Sequence, residues 1–474
     1  MIGCLKRVGT LGLAGLVLVG TLGTARAETL ADALRDAYIN SGLLQQNRAL
    51  LRAADEDVAQ AVAALRPIID WTAGVMRDFN RVRSGSSNTL NPGANSTAET
   101  TANVGVTASL LIYDFGRSDF LTEAAKETVL ATRETLRSVE QMVLLTAVQA
   151  YMNVIRNREF VDLRRNNLRL LQEELRAAND RFEVGEVTRT DVAQAEAAVA
   201  LAESGLAVAE GDLTRAIEEF LQAVGRAPGS LLTPGDLPAL AGDVEAAKAA
   251  AVRRHPDILS AQRNVTVAEL NMGAAAAAKM PSINLTGQLG LDEELTGGGF
   301  SRGGSVGVEL RGPIYQGGRL SSLERQARAQ RDAQLARLHL AGLQVRQDVG
   351  NAYANLRAAR AARTANIEAV RAARVAFEGT REEAMLGART TLDVLDSEQN
   401  LLDSQANLIS ANADVVIAAY SVLAAMGELT VRDLNLNVPT YDPRAYYDLV
   451  KTAPVPISPQ GKKLDRVLRA LGQQ

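Results

Sequence analysis

The chain has 474 residues, a formal net charge of −4, 47% apolar residues and one cysteine. A slightly acidic balance excludes a nucleic-acid binder held by a basic face. One cysteine excludes a disulfide framework.

Residues 1–27 read as a secretory signal. Lys6 and Arg7 form the positive start, Leu11 to Leu22 is apolar, and Ala25-Arg26-Ala27 supplies the small-x-small cleavage pattern. Cleavage there predicts a mature chain starting at Glu28. Losing Lys6, Arg7 and Arg26 takes the charge from −4 to −7. Cys4 precedes the apolar run, whereas a lipid-anchoring cysteine would follow it, so no lipid anchor and no thiol chemistry are expected. Beyond residue 28 no unbroken run of 18 apolar residues occurs, so a helical membrane span is not expected.

Two short alternating segments come first: Ile69, Trp71, Ala73 and Val75, then Val104, Val106, Ala108 and Leu110. Between them, residues 80–99 are polar and rich in Gly, Ser and Asn, which predicts a loop. Residues 115–183 lack proline and are rich in helix formers, which predicts one very long helix. Gly185 then marks a tight turn, and a partner helix spans about 189–225. Residues 226–242 (RAPGSLLTPGDLPALAG) read as a linker. The second half starts with two more alternating sets: Ile283, Leu285, Gly287, Leu289 and Leu291, then Val306, Val308 and Leu310. Residues 292–304 read as their loop. Pro67 and Pro281 stand at the helix-to-strand entries, and Pro313 and Gly318 at the strand-to-helix exit. A second long helix is predicted over 318–383, with a turn at Gly387 and a partner helix over 391–427. Leu335, Leu338, Gly342, Val345, Val349, Ala352 and Leu356 follow a 3-4 spacing, the pattern of a coiled-coil seam. The counterpart Leu136, Val143, Ala147, Ala150 and Val154 is broken by Glu140. The tail from 428 reads as irregular, packed on the helices or hanging free.

The two halves are copies. Tyr113 returns as Tyr315, Tyr151 as Tyr353, Gly185 as Gly387 and Gly225 as Gly427, each 202 positions later. So long an ungapped offset identifies a domain-sized repeat. The expected organisation is a signal at 1–27, repeats at 28–225 and 243–427, a linker at 226–242 and a tail at 428–474. Period-2 alternation over about ten residues is the pattern of a transmembrane β-strand. Four strands cannot close a barrel, and an open edge in lipid leaves backbone groups unsatisfied. The chain is therefore expected to oligomerise.

With these features in hand, the chain resembles the TolC family of outer-membrane efflux and secretion channels. Pro313-Ile314-Tyr315-Gln316-Gly317-Gly318 resembles the family's strand-to-helix entry, Leu386-Gly387-Ala388-Arg389-Thr390-Thr391-Leu392-Asp393-Val394-Leu395-Asp396 its periplasmic hairpin, and His255-Pro256-Asp257 a helix start. The resemblance covers nearly all of 28–427. It implies a mixed α and β fold: a homotrimer whose twelve-stranded β-barrel, four strands per protomer, continues into a long antiparallel α-helical periplasmic tunnel. It also implies an outer-membrane location, barrel lipid, and docking with a periplasmic adaptor and an inner-membrane pump or ABC transporter. The duct would belong to a tripartite efflux or type I secretion system. Two departures stand out. Ser41-Gly42 replaces His255-Pro256 in the first half, and Ala384 stands where the best-known member has a tip-locking tyrosine.

The same resemblance implies roles for single residues. Asp393 and Asp396, one turn apart, would ring the tunnel aperture, where carboxylates favour cations. Asp393 is also the acidic end of a capping box with Thr390, as Asp191 is with Thr188. Asp191, Thr190 and Arg389 would link neighbouring hairpins at a closed tip, or simply be solvated. Val184, Gly185, Leu386 and Gly387 would meet the adaptor, although turn geometry alone explains the glycines. Trp71 and Tyr113 fit interfacial positions on a barrel. His255 and His339 suggest no metal site, and no catalytic constellation or phosphate loop is visible, so neither an enzyme nor a cofactor is expected. The rival reading is a periplasmic coiled-coil adaptor or scaffold without a pore.

Overall fold

A computed structural model describes residues 28–83, 94–235, 237–240 and 242–471. The signal segment with Cys4 and the middle of the first polar loop lie outside the described residues. Each half follows one plan. The first contains α1 (Leu30–Asn40), α2 (Gly42–Ala63), β1 (Ile68–Arg83), β2 (Ala94–Tyr113), α3 (Arg117–Glu183) and α4 (Arg189–Val224). The second contains α5 (Val244–Arg254), α6 (Pro256–Ala277), β3 (Ser282–Glu294), β4 (Phe300–Arg311), α7 (Arg319–Met385) and α8 (Thr391–Met426). Two further helices, α9 (Pro443–Val450) and α10 (Pro459–Leu471), lie in the tail. At α3 and beyond, equivalent elements start and end 202 positions apart. Before the strands they are 214 apart, because the first β-hairpin is longer.

Local chemistry sets the breaks. Ser41 Oγ accepts from Leu44 N at 3.2 Å and starts α2. At the equivalent corner His255 Nδ1 accepts from Asp257 N at 3.2 Å, and Pro256 takes the first helical position. Burial holds the His255 pKa below its ordinary value, which keeps the ring neutral and able to accept. His255, first residue of the motif that resembled a helix start, is thus the helix cap. It does the work of Ser41.

The four strands form one antiparallel sheet in the order β1-β2-β3-β4. Register places Ile69, Ala108, Gly287 and Val306 side by side, and likewise Trp71, Val106 and Leu289. Their faces agree, so every alternating set points the same way. The opposite face carries Asp70, Thr107, Gln288 and Ser305 in a row. The apolar face is bare: Trp71 is 76% exposed, and Val75, Leu289, Val306 and Val308 are exposed with it. Tyr113 stands near the end where strands meet helices, with the Phe115 ring 4.8 Å away and tilted by 54°. At the far end Arg77 lies 5.4 Å over the Phe79 ring. Strand continues well into the expected loop 80–99, because polar residues are tolerated on strand ends beyond the apolar band.

Each 67-residue helix reaches about 100 Å at 1.5 Å per residue. The two are not equally covered. α3 lies among α4, α6, α8 and α2, whereas α7 has α8, α6 and α5. Of the α7 seam, Val345, Val349, Ala352 and Leu356 are buried, but Leu335 is 43% exposed. The α3 break at Glu140 has a structural use, since its carboxylate accepts from Val431 N at 2.7 Å and so ties the tail to the helix. α4 and α8 contain 18-residue windows apolar enough, by composition, to cross a membrane. Unbroken runs do not reveal this. Both helices pack antiparallel along the long helices with alanine-rich stripes such as Ala195, Ala202, Ala209 and Ala216.

The core sits at the middle of the molecule. Tyr151 and Phe220 are buried with rings 6.4 Å apart. The Tyr151 hydroxyl lies within hydrogen-bond reach of the carbonyls of Glu28 and Leu232, at 2.8 and 2.6 Å. Arg226 holds Glu28 and Asp36 at 2.7 Å each. The tail is more ordered than its sequence suggests. Arg48 lies between the rings of Tyr38 and Tyr441, Val450 is fully buried, and Arg66 donates to the Ala453 carbonyl at 2.7 Å. Tyr441 meets Arg48, and Tyr446 donates to Glu56 of α2 and is buried with Val450 and Leu464.

The register generates a test. Val106→Arg places a charge in the middle of the bare apolar face and should cost about 2–4 kcal/mol in a bilayer. Thr107→Arg, one residue on and facing the other way, should cost little. The yield of folded protein on insertion into lipid vesicles measures both.

Candidate functional site: the hairpin tips

The end of the molecule farthest from the sheet is built from two helical turns. Gly185 (φ +80°) and Gly387 (φ +76°) adopt the left-handed conformation that favours glycine. Each closes a Schellman motif. Glu186 N donates to Arg181 O at 2.9 Å and Gly185 N to Phe182 O at 3.0 Å. Ala388 N donates to Glu383 O at 2.9 Å and Gly387 N to Ala384 O at 3.1 Å. This geometry thrusts Val184 and Leu386 outward, at 71% and 85% exposure, with Phe182 and Met385 exposed beside them.

The helices that follow start with matching capping boxes. Asp191 Oδ2 accepts from Thr188 N at 2.8 Å, and Asp393 Oδ2 accepts from Thr390 N at 2.9 Å. The threonine hydroxyls donate to the same carboxylates and accept from the aspartate amides. Hydrogen bonds from the Thr188 side chain and backbone hold the Asp191 pKa below its usual range, and bonds from the Thr390 backbone and side chain do the same for Asp393. Asp396 follows one turn later, is exposed, and lines a groove with Arg164, Asn167 and Gln194.

Asp191 and Arg389 line the same cleft between the two hairpins, yet no bond joins them within one chain. Asp191 is engaged by Thr188, and Arg389 Nε lies 2.9 Å from Glu383. Thr190 is exposed. The links that do cross between the hairpins involve other residues. Arg381 Nε of α7 lies 3.1 Å from Glu174 Oε1 of α3. Asn167 Nδ2 of α3 donates to Glu398 Oε1 of α8 at 2.7 Å. Sequence reasoning missed all four. A signal existed: Val394, Glu398 and Leu402 recur every four residues and are all buried. That places a carboxylate inside an apolar stripe.

A sheet with one bare apolar face, continued by paired helices about 100 Å long, defines the subunit of a duct that crosses an outer membrane and extends into the periplasm. The comparisons agree. The chain belongs to the outer membrane efflux protein family, whose model matches residues 33–226 and 249–428. It is 37% identical over 441 residues to outer membrane efflux protein BepC of Brucella suis, covering 93% of each chain. It is 26% identical over 450 residues to outer membrane protein TolC of Escherichia coli, covering 89% of this chain and 87% of that one. Among solved structures, the Campylobacter jejuni CmeC outer membrane channel superposes with a TM-score of 0.73 at 18% identity, covering 90% of this chain and 89% of that one. The protein is an exit duct of the outer membrane.

Thr390→Ala removes the α8 cap, a change worth about 1 kcal/mol. Amides of residues 391–394 should then exchange hydrogen about fivefold faster, with α7 unaffected. Equal exchange would mean that the box does not hold the helix start.

Proposed function

We propose that three copies close the sheet into a twelve-stranded barrel and the helices into a tunnel, and that the tunnel is gated at its tip. The carrying observation is the unfinished sheet. β1 and β4 are both edges of a sheet whose apolar face is exposed, and lipid tolerates neither open edges nor unpaired backbone. Ile314 and Tyr315, the counterparts of Ile112 and Tyr113 at the end of β2, lie past the end of β4 and are almost wholly exposed. Pairing β4 with β1 of a neighbour would repeat the β2–β3 contact. In the same way, the cover that α3 receives from α8 and α6 would reach α7 from α4 and α2 of the neighbour. A pore-free scaffold has no use for the bare apolar face, which disfavours the rival reading.

Energy for export would come from an inner-membrane pump or ABC transporter joined through a periplasmic adaptor. Val184, Gly185, Leu386 and Gly387 are the exposed apolar tips that an adaptor would cover. Asp393 and Asp396 would converge as six carboxylates around the axis. Arg389, Asp191 and Thr190 would act between hairpins of neighbouring copies, because within one chain they do not meet. Efflux and type I secretion partners both fit these surfaces.

Two measurements test this reading. Native mass of detergent-extracted outer membranes should give a trimer, and a monomer under mild extraction would refute the shared barrel. In planar bilayers, Asp393→Asn with Asp396→Asn should weaken block by a trivalent cation about tenfold or more, since clustered carboxylates concentrate counter-ions. Arg389→Ser should raise the resting current.

A further inference from the structure

The two hairpins of one chain meet along α3 and α8. Just behind the tips this seam buries polar groups, whereas the ion pair farther along it, Arg156–Asp414, is half exposed. Glu398 is 4% exposed. One carboxylate oxygen accepts from Asn167, and the other, Oε2, is buried with no hydrogen-bond partner. Beside it the Arg381–Glu174 ion pair joins α7 to α3, a contact of charges at 3.1 Å in which the buried Arg381 Nε makes no hydrogen bond. From α3, therefore, Asn167 and Glu174 face Glu398, with Arg164 in the adjoining groove. From α7 Arg381 faces it, and from α4 Gln194 lines that groove. Asp396 neighbours it on α8 itself.

The repeat supplies an internal control. Shifting by 202 positions turns Glu398 into Glu196, Asn167 into Ala369, Glu174 into Ala376 and Arg381 into Asn179. The equivalent seam, which would form between α7 and the α4 of a neighbouring copy, therefore lacks the amide partner and the ion pair. Glu196 is exposed in the single chain. Polar crosslinks occupy one of the two kinds of seam in the ring.

We propose that Asn167, Glu174, Arg381 and Glu398 form a latch that holds the two hairpins of one protomer together behind the tip, and that the latch holds while Glu398 is protonated and loosens when it ionises. This rests on the duct reading above. Glu398 sits five residues, about 7 Å along the helix, beyond the Asp393 cap, so a change at the seam is transmitted directly to the aperture. An ionised carboxylate with one unpartnered buried oxygen is costly, and separating the seam hydrates it. Burial, with the nearby Glu174 charge, pushes the Glu398 pKa from its ordinary 4.5 up to about 7, against the pull of the Asn167 bond and Arg381. The sign follows from linkage. The closed seam binds the proton more tightly than the open one. Closure is fully favoured below pH 4.5, weakens as pH rises, and reaches its minimum above about 7.

The test uses the intact trimer. Glu398→Gln preserves the shape and the Asn167 contact while removing the charge. Hydrogen exchange of residues 391–404 is compared between Glu398→Gln and wild type at the same pH, so that intrinsic exchange chemistry cancels. The rates should agree at pH 4.5. At pH 8 wild type should exchange about tenfold or more faster, the lower end of what the pKa displacement allows. Glu196→Gln should behave as wild type throughout. Equal rates for wild type and Glu398→Gln at pH 8, or the same slowing in Glu196→Gln, would overturn the latch. Bilayer currents recorded in parallel separate the two ideas. A pH-dependent seam in a trimer that never conducts would sink the duct reading and leave the latch standing. A conducting trimer whose seam ignores pH would do the reverse.

Discussion

A β-sheet in lipid cannot have an edge. Every backbone N–H and C=O facing hydrocarbon without a partner costs several kcal/mol, and no side chain can offset a whole row of them. The four-stranded sheet of this protein has two such edges and one bare apolar face. Much else depends on that constraint. If the strands close with strands from other copies, closure fixes where the helices that leave the sheet can go. Those helices fill a core only near the middle of their length and run on beyond it for 67 residues without interruption.

Duplication makes the closure economical. One contact, between the long helix of one half and the short helix of the other, is present within the chain as α3 against α8. On α7 and α4, the counterparts of that pair, Leu335, Leu201 and Val208 are exposed. A repeat that buries its own face against a copy of itself needs the next copy, and the next, until the ring shuts. The corners where α1 meets α2 and α5 meets α6 show how loosely chemistry is bound to geometry in such a repeat. A serine hydroxyl and a neutral imidazole accept the same capping bond.

Much of the fold was legible in the sequence, and for identifiable reasons. Helices α3, α4, α7 and α8 follow from proline-free runs bounded by Gly185, Gly225, Gly387 and Gly427, because such helices have few competing conformations. The strands were visible as alternation, but their lengths were not. β1 runs on to Arg83, since strand ends beyond the apolar band have no need to alternate. The tail was illegible: α9 and α10 are short, and they are held by Tyr446, Arg66 and Arg48 through contacts with residues hundreds of positions away. At the tips, the capping roles of Asp191 and Asp393 could be read from a three-residue spacing. The crosslinks Asn167–Glu398 and Glu174–Arg381 could not, because each joins residues that only the folded seam brings together.

The two β-hairpins differ in length while the helical parts do not. β1 and β2 have 16 and 20 residues, β3 and β4 have 13 and 12, and most of the change in offset from 214 to 202 comes from these strands. In a three-copy ring the body below the barrel would look nearly the same after each sixth of a turn, whereas the rim above it would match only after each third. A ligand arriving from outside the cell would meet a mouth of three tall and three short arches. A partner arriving from the periplasm would meet six grooves alike in backbone, three of them crossed by the polar links of the α3–α8 seam. The same chain thus offers different symmetry to its two sides, and a periplasmic partner could occupy three or six places without any change in the duct.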